Sequence, residues 1–482
     1  MGLRARRPMP AAILVTCLAA CSNGAPDAGR PDFVVIVSDD IRFDALGVVQ
    51  REQGSAARFP WLETPNLDRL AAGGVRFSNA FAVNSLCTPA RASLLTGRYA
   101  HSLGILDNAT PLDPATPTYA SLLRAAGYAT GYAGKWHMGR QVERPGFEWS
   151  ATYPGHGRYL DAPFLVDGSP VSSTGWVDDV TTDFAIEFMR RHARDPFLLV
   201  VGYKAPHLPH LPESVPERRR GRYARVELRE PSNASAAAPF GNDLLQHRKR
   251  RRSGKPPPKL DLAPTVQDGA TGTGPGSRTY FELISAMDDA VGRLLDELDA
   301  LGISDRTFVV FAGDNGYSLG EHGLVAKRSA YEASIRIPLL VRGPAGAAKG
   351  GRIADELVLN VDLAPTLLEL AGVAAPEGLH GRSLAPLLRG EAPPWRRAFL
   401  YEYFREPRFS APTHFALRTT DAKLVVYPEH PEWTQLFDLR ADPGEERDLA
   451  SDPSREEERR ALHAELLRQA RELDLDPAQP PR

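Results

Sequence analysis

The chain has 482 residues, 42% of them hydrophobic and 24% charged, with a formal net charge of −2 and three cysteines. That length holds one large domain plus a smaller one, and the composition is that of a folded globular protein, not a disordered one. The near-neutral balance gives no electrostatic ground for binding nucleic acid, and three cysteines cannot build a disulfide scaffold. The first segment, MGLRARRPMPAAILVTCLAACSNG, places Arg4, Arg6 and Arg7 before an apolar run that stops at Cys21. A run of about ten apolar residues is too short to span a bilayer but suits a signal-peptide core.

Three continuous apolar runs follow, in DFVVIVSDD (from Asp32), PFLLVVGYKAPH (to His207) and TFVVFAGDNG (from Thr307). Each reads as a strand buried on both faces, which points to a parallel or mixed α/β sheet. Between them lie helical patterns: TPNLDRLAAGG, with Thr64 as N-cap and Pro65 in the first turn, then TYASLLRAAGY, ELISAMDDAVGRLLDELDALG and VDLAPTLLELAG. From 221 to 277 the pattern dissolves into basic, proline- and glycine-rich sequence, read as a surface insertion. Beyond about Glu391 short strands and a final helix read as a small C-terminal α+β subdomain. The expected organisation is a leader (1–20), a tether (21–30), a catalytic domain (31–390) and the subdomain (391–482).

The strands carry chemistry at their C-terminal ends, where polar groups of a parallel sheet converge on one crevice. Asp39 and Asp40 end one, Asp314 and Asn315 another; four hard oxygen donors suit calcium or magnesium. Zinc-type thiolate and histidine spacing is missing. Cys87 stands apart: with Cys17 and Cys21 in the leader region, it is the lone thiol of the body. A buried small hydrophobe is the plain alternative.

Leu18-Ala19-Ala20-Cys21 resembles the lipobox of bacterial lipoproteins, which implies cleavage before Cys21, lipidation of Cys21 and a lipid-tethered place in the cell envelope. Cys87-Thr88-Pro89-Ala90-Arg91, followed by ASLLTGR, resembles the first signature of the formylglycine-dependent sulfatases of the alkaline-phosphatase-like superfamily. GYATGYAGKWHMG resembles their second signature, and NVDLAPTLLELAG, SAYEASIRIPLLVRGP and LFDLRADPGEERDLA resemble further landmarks. YKAPHLPH and LGEHGLVAKRSAYE look more like the glycan sulfatases, such as glucosamine-6-sulfatases and iduronate sulfatases, than the arylsulfatases. The likeness lapses over 221–277.

The resemblance implies a fold, a large mixed, mostly parallel sheet flanked by helices, and a set of roles. A formylglycine-generating or radical maturation enzyme oxidises Cys87, before folding, to formylglycine, whose hydrate has two hydroxyls. One of them sits on the divalent cation, calcium ahead of magnesium, with Asp39, Asp40, Asp314 and Asn315. Arg91 holds the diol, Lys135 and Lys327 neutralise the sulfuryl oxygens, His207 protonates the leaving alcohol and His137 deprotonates the second hydroxyl. His322, His101 and Asn108 are candidate substrate contacts. The substrate implied is a sulfated saccharide. Two other readings stay open: a phosphonate monoester hydrolase or phosphodiesterase of the same superfamily, and an inactive glycan-binding lipoprotein.

Overall fold

The computed structural model describes residues 29–140, 144–241, 275–344, 347 and 350–481. The leader, Cys21 and most of the 221–277 stretch lie outside the described residues. Among these residues the main sheet has ten strands, here β1 Asp32–Ser38, β2 Val75–Phe77, β3 Ala129–Lys135, β4 Trp149–Tyr153, β5 Phe164–Val166, β6 Ser169–Val171, β7 Phe197–Gly202, β8 Thr307–Gly313, β9 Leu339–Arg342 and β10 Arg352–Ala354. Their order is β10-β2-β9-β8-β1-β7-β3-β4-β5-β6. The five in the middle, β8-β1-β7-β3-β4, are parallel; β9, β5 and β6 run against their neighbours.

Every residue of β1 is buried, so both faces need cover. Val34 and Ile36 join a core with the helices Val177–Arg191 and Pro275–Ala300. Phe33, Val35 and Val37 join the opposite core, with the helices Tyr119–Ala125 and Leu363–Leu370. The register sets β1 in step with both neighbours, Phe33 beside Leu198 and Phe308, so the three strands end level.

The helix Pro65–Ala72 starts where Pro65 sets it, but Thr64 is not its side-chain cap. Thr64 Oγ1 accepts from the Gly47 amide at 2.7 Å, and Asp288 of the long helix takes the Asn66 and Leu67 amides at 3.1 and 2.8 Å. A tertiary carboxylate replaces the local cap.

The C-terminal part is a four-stranded antiparallel sheet, Ala398–Tyr403, His414–Thr419, Ala422–Val426 and Gln435–Asp438, packed by the helix Glu456–Glu472. Its core also takes Phe81, Val83 and Tyr99 from the main body. Within 221–241 single residues pack on the body while many others are exposed: Tyr223 lies 4.7 Å from Trp61 between ring centroids, and Phe240 is buried beside His414.

Candidate active site

Because the central strands are parallel and level, the chain after each one enters the same space. Asp39 and Asp40 follow β1, Asp314 and Asn315 follow β8, and Lys204 to His207 follow β7. Lys135 closes β3 with His137 beyond it, and His156 follows β4. Opposite them the helix Cys87–Thr96 starts at Cys87 and is buried at every position.

Cys87 Sγ donates to Asp39 Oδ1 at 3.3 Å and takes the Lys327 ammonium at 2.7 Å. Lys135 pairs with Asp39 and Lys327 with Asp40. Arg91, one turn along the helix from Cys87, donates to Asp314 Oδ2 at 3.0 Å and to the Lys135 carbonyl at 2.8 Å. Asp40 adopts φ 65°, and its amide donates to Asp314 Oδ1 at 3.0 Å. A positive φ at a non-glycine residue is strained; here it turns the chain at the end of β1 so that two successive carboxylates enter one site.

The donor set fits a hard cation. Oxygens of Asp39, Asp40 and Asp314 lie within 4.8 Å of one another. Asn315 Nδ2 donates to Asp40 Oδ1 at 2.7 Å, while its Oδ1 is buried without a protein partner. Three carboxylates and a free amide carbonyl are what calcium or magnesium takes. The electrostatics agree. Burial pushes Asp314 up to about 7, with the Asp39 charge adding to it, a repulsion that a divalent cation relieves. Burial works against Asp39 too, but Lys135, His207, Arg91 and Lys327 outweigh it and hold that carboxyl well below its usual range.

Burial, then Asp39, pushes the Cys87 thiol up to about 12. It is therefore a poor thiolate. His207 Nδ1 donates to the Leu208 carbonyl at 2.9 Å, which leaves Nε2 free for proton transfer, 3.8 Å from Asp40 Oδ2. His137, at φ 55°, accepts the Thr88 hydroxyl on its carbonyl at 2.6 Å, tying the end of β3 to the start of the Cys87 helix. Burial lowers both imidazoles well below their ordinary value.

Of the three candidate substrate contacts, Asn108 is beside the site: its Oδ1 accepts the Thr88 amide at 2.9 Å and caps that helix. The other two are corrected. Both ring nitrogens of His101 are committed, Nδ1 to Glu402 and Nε2 to the Leu473 carbonyl at 2.7 Å, where main body and C-terminal helix meet. The His322 ring stacks on Tyr331 at 3.6 Å, with Nδ1 on the Ala236 carbonyl and Nε2 on Asn233. Neither ring has a nitrogen left for a ligand.

Three residues were not singled out from sequence. His156 lies between His137 and His207, with ring centroids 3.9 and 4.5 Å away, and its Nδ1 is 3.3 Å from Lys135 Nζ. Its neighbours' desolvation of the ring, then Lys135, lower it below its ordinary value, although the residue stands exposed at the rim of the site. Lys204 donates to the His156 and Leu208 carbonyls at 3.0 and 3.1 Å, and burial, then Lys135, lowers it to about 8. Arg328 follows Lys327. The signal for the first two was the strand-end rule itself, applied to β4 and to the residue opening Lys204-Ala205-Pro206-His207.

This is a hydrolase crevice built for an anion, with hard-cation ligands and lysines around residue 87. The sulfatase family model matches residues 31–373, and the N-sulphoglucosamine sulphohydrolase C-terminal model matches 320–472. The chain belongs to the sulfatase family and is a sulfuric ester hydrolase. It is 32% identical to an N-acetylglucosamine-6-O-sulfatase of Bacteroides thetaiotaomicron, over 95% of this chain and 90% of that one. It is 29% identical to an ulvan-active sulfatase of Formosa agariphila, over 98% and 88%. Among solved structures it is similar to a protein in complex with its substrate D-glucosamine-2-N,6-O-disulfate, with a TM-score of 0.81, 29% identity and coverage of 93% and 99%. It is also similar to a phosphonate monoester hydrolase from Silicibacter pomeroyi, with a TM-score of 0.70, 25% identity and coverage of 93% and 96%.

Proposed function

We propose that this enzyme hydrolyses a sulfate ester on a sulfated saccharide, with residue 87 converted to formylglycine and a divalent cation, calcium first, held by Asp39, Asp40, Asp314 and Asn315. The observation that carries the reading is the placement of Cys87 at the start of a buried helix, 3.3 Å from Asp39 and 2.7 Å from Lys327. The named activities of the relatives, N-acetylglucosamine-6-O-sulfatase and ulvan-active sulfatase, support a carbohydrate substrate.

The cation supplies charge that acidifies a hydroxyl, and the hydrated aldehyde supplies two hydroxyls on one carbon. The chain's own residues do the rest. Lys135 and Lys327 bind the sulfuryl oxygens from two sides, point charges fixed before substrate arrives. Arg91 ties the start of the helix to Asp314 and to the end of β3, so residue 87 cannot drift from the carboxylates. His207, with Nδ1–H on the Leu208 carbonyl, presents Nε2 to the departing alcohol and protonates it from the doubly protonated ring, the state that the negative charge of a bound sulfate ester favours. His137 accepts the proton of the second hydroxyl, and the His156 ring lies between the two working imidazoles. Asn108 fixes the helix end. We also place the mature protein in a bacterial cell envelope, held by lipid on Cys21, on the strength of the basic head, short apolar run and Leu-Ala-Ala-Cys sequence. A maturation enzyme in the host would supply the aldehyde.

Peptide mass spectrometry of residue 87 tests this, together with paired sulfate and phosphonate esters. Replacement of sulfur by oxygen at Cys87, with preferred hydrolysis of the sulfate ester, is the expected outcome. A thiol at 87 in fully active enzyme refutes the mechanism. The likeness to phosphonate monoester hydrolases makes preferred phosphonate cleavage the second reading. A conserved thiol with no esterase activity would leave a glycan-binding protein.

A further inference from the structure

Arg328 is almost wholly withdrawn from solvent, with 11% of its side chain exposed, yet it uses only part of its hydrogen-bonding capacity. Its Nε donates to Glu406 Oε2 at 2.6 Å, and its guanidinium carbon lies 3.4 Å from the centroid of the Phe409 ring. Glu406 is further held by the Tyr403 hydroxyl at 3.3 Å. Among the described residues its two terminal nitrogens, Nη1 and Nη2, take no hydrogen bond, and neither is sealed from solvent. A guanidinium carries five N–H donors in a rigid fork, so the four on Nη1 and Nη2 stay available to a ligand.

Position adds to this. Arg328 sits directly after Lys327, whose ammonium touches Cys87 Sγ, and its backbone takes φ 84°. Glu406 and Phe409 come from the connection between the strands Ala398–Tyr403 and His414–Thr419, so a loop of the C-terminal sheet reaches the residue that follows Lys327. That loop also carries Arg405 and Arg408, both exposed. None of these groups has a task in the chemistry at residue 87, where Lys135 and Lys327 already face the scissile group.

We propose that Arg328, anchored by Glu406 and Phe409, is a specificity residue that recognises a second sulfate group on the same saccharide as the scissile sulfate. The planar fork suits two oxygens of such a group, and the anchor holds it in place before binding. The inference rests on the sulfatase reading above and deepens it.

The test compares D-glucosamine 6-sulfate with D-glucosamine-2-N,6-O-disulfate as substrates of the full-length, matured enzyme. Wild type is expected to favour the disulfate. Arg328→Gln is expected to lower kcat/KM for the disulfate by roughly 10- to 100-fold, the worth of a charge-assisted pair, through KM, and to leave the monosulfate within about threefold. Equal losses on both esters, or no loss on either, overturn the proposal. Glu406→Gln keeps the arginine but loosens its anchor; a smaller loss confined to the disulfate is expected, and unchanged kinetics on both esters count against the proposal even if Arg328→Gln fails to fold. Wild type that cleaves both esters equally well refutes the role of Arg328 and leaves the sulfatase standing. Wild type that cleaves no sulfate ester removes both.

Discussion

His414 gives a sharp test of how the C-terminal sheet is held. Its ring is buried among Tyr401, Tyr403 and Tyr427, with centroids 5.8, 5.1 and 5.5 Å away. Nδ1 donates to the Pro412 carbonyl at 2.9 Å, and Nε2 is buried without a partner. A second proton would go onto Nε2, where nothing accepts it. Burial accordingly lowers this histidine from 6.5 to about 4. Because the folded value is the depressed one, the stabilisation is complete above pH 6.5 and is lost as pH falls from 6.5 towards 4. The whole shift corresponds to about 3 kcal/mol, of which about 2 is gone by pH 5. His414→Phe removes the titrating group and keeps an aromatic ring in place. Urea unfolding at pH 7 and pH 5 should show wild type losing about 2 kcal/mol more than the variant over that interval. Equal losses in the two proteins would mean that His414 is already charged, or hydrated, in the folded state.

Four other outcomes follow from the site. Asp314→Ala should abolish calcium binding in titration calorimetry and lower kcat/KM by at least about a hundredfold, the two together; retained binding would exclude Asp314 as a ligand. Cys87→Ser should bind metal and fold normally but stall after one sulfate transfer, seen as a sulfated peptide by mass spectrometry, since a serine hydroxyl has no neighbour to expel the group. Lys204→Met strands the His156 and Leu208 carbonyls and should cost about 1–3 kcal/mol in thermal or urea unfolding; a neutral result would show that water replaces the ammonium. Cys21→Ser should move the enzyme from membrane to soluble fraction with unchanged specific activity.

Much of this site could be read from the chain because the relevant residues sit next to unmistakable strands. The runs ending at Asp39 and Gly313 are buried over their whole length, and the carboxylates directly after them met in space as parallel topology requires. Lys135, His137 and His207 lie in the same crevice for the same reason. His156 escaped because β4 has only five residues and no β-branched run to announce it. His101 and His322 misled because nearness in sequence to a signature does not fix direction: both face joints between the main body and its surroundings. Thr64 does hold the N-cap position, but its side chain makes no cap bond, since a helix residue 222 positions beyond Asn66 supplies the carboxylate. Arg328 could not be found from local pattern at all, because its anchors, Glu406 and Phe409, are about eighty residues away.

Cys87 is fully enclosed, in a helix with no exposed residue. An enzyme that rewrites its side chain cannot touch it once the sheet and helices have closed. Under the proposed conversion of residue 87, each molecule has its fate sealed while the chain is still open, between synthesis and collapse. A chain that folds unmodified keeps the same core, the same carboxylates and the same surface, and has no way back short of unfolding. The specific activity of a purified batch is then a historical record. On that proposal it reports how the race between maturation and folding ran in the cell that made it.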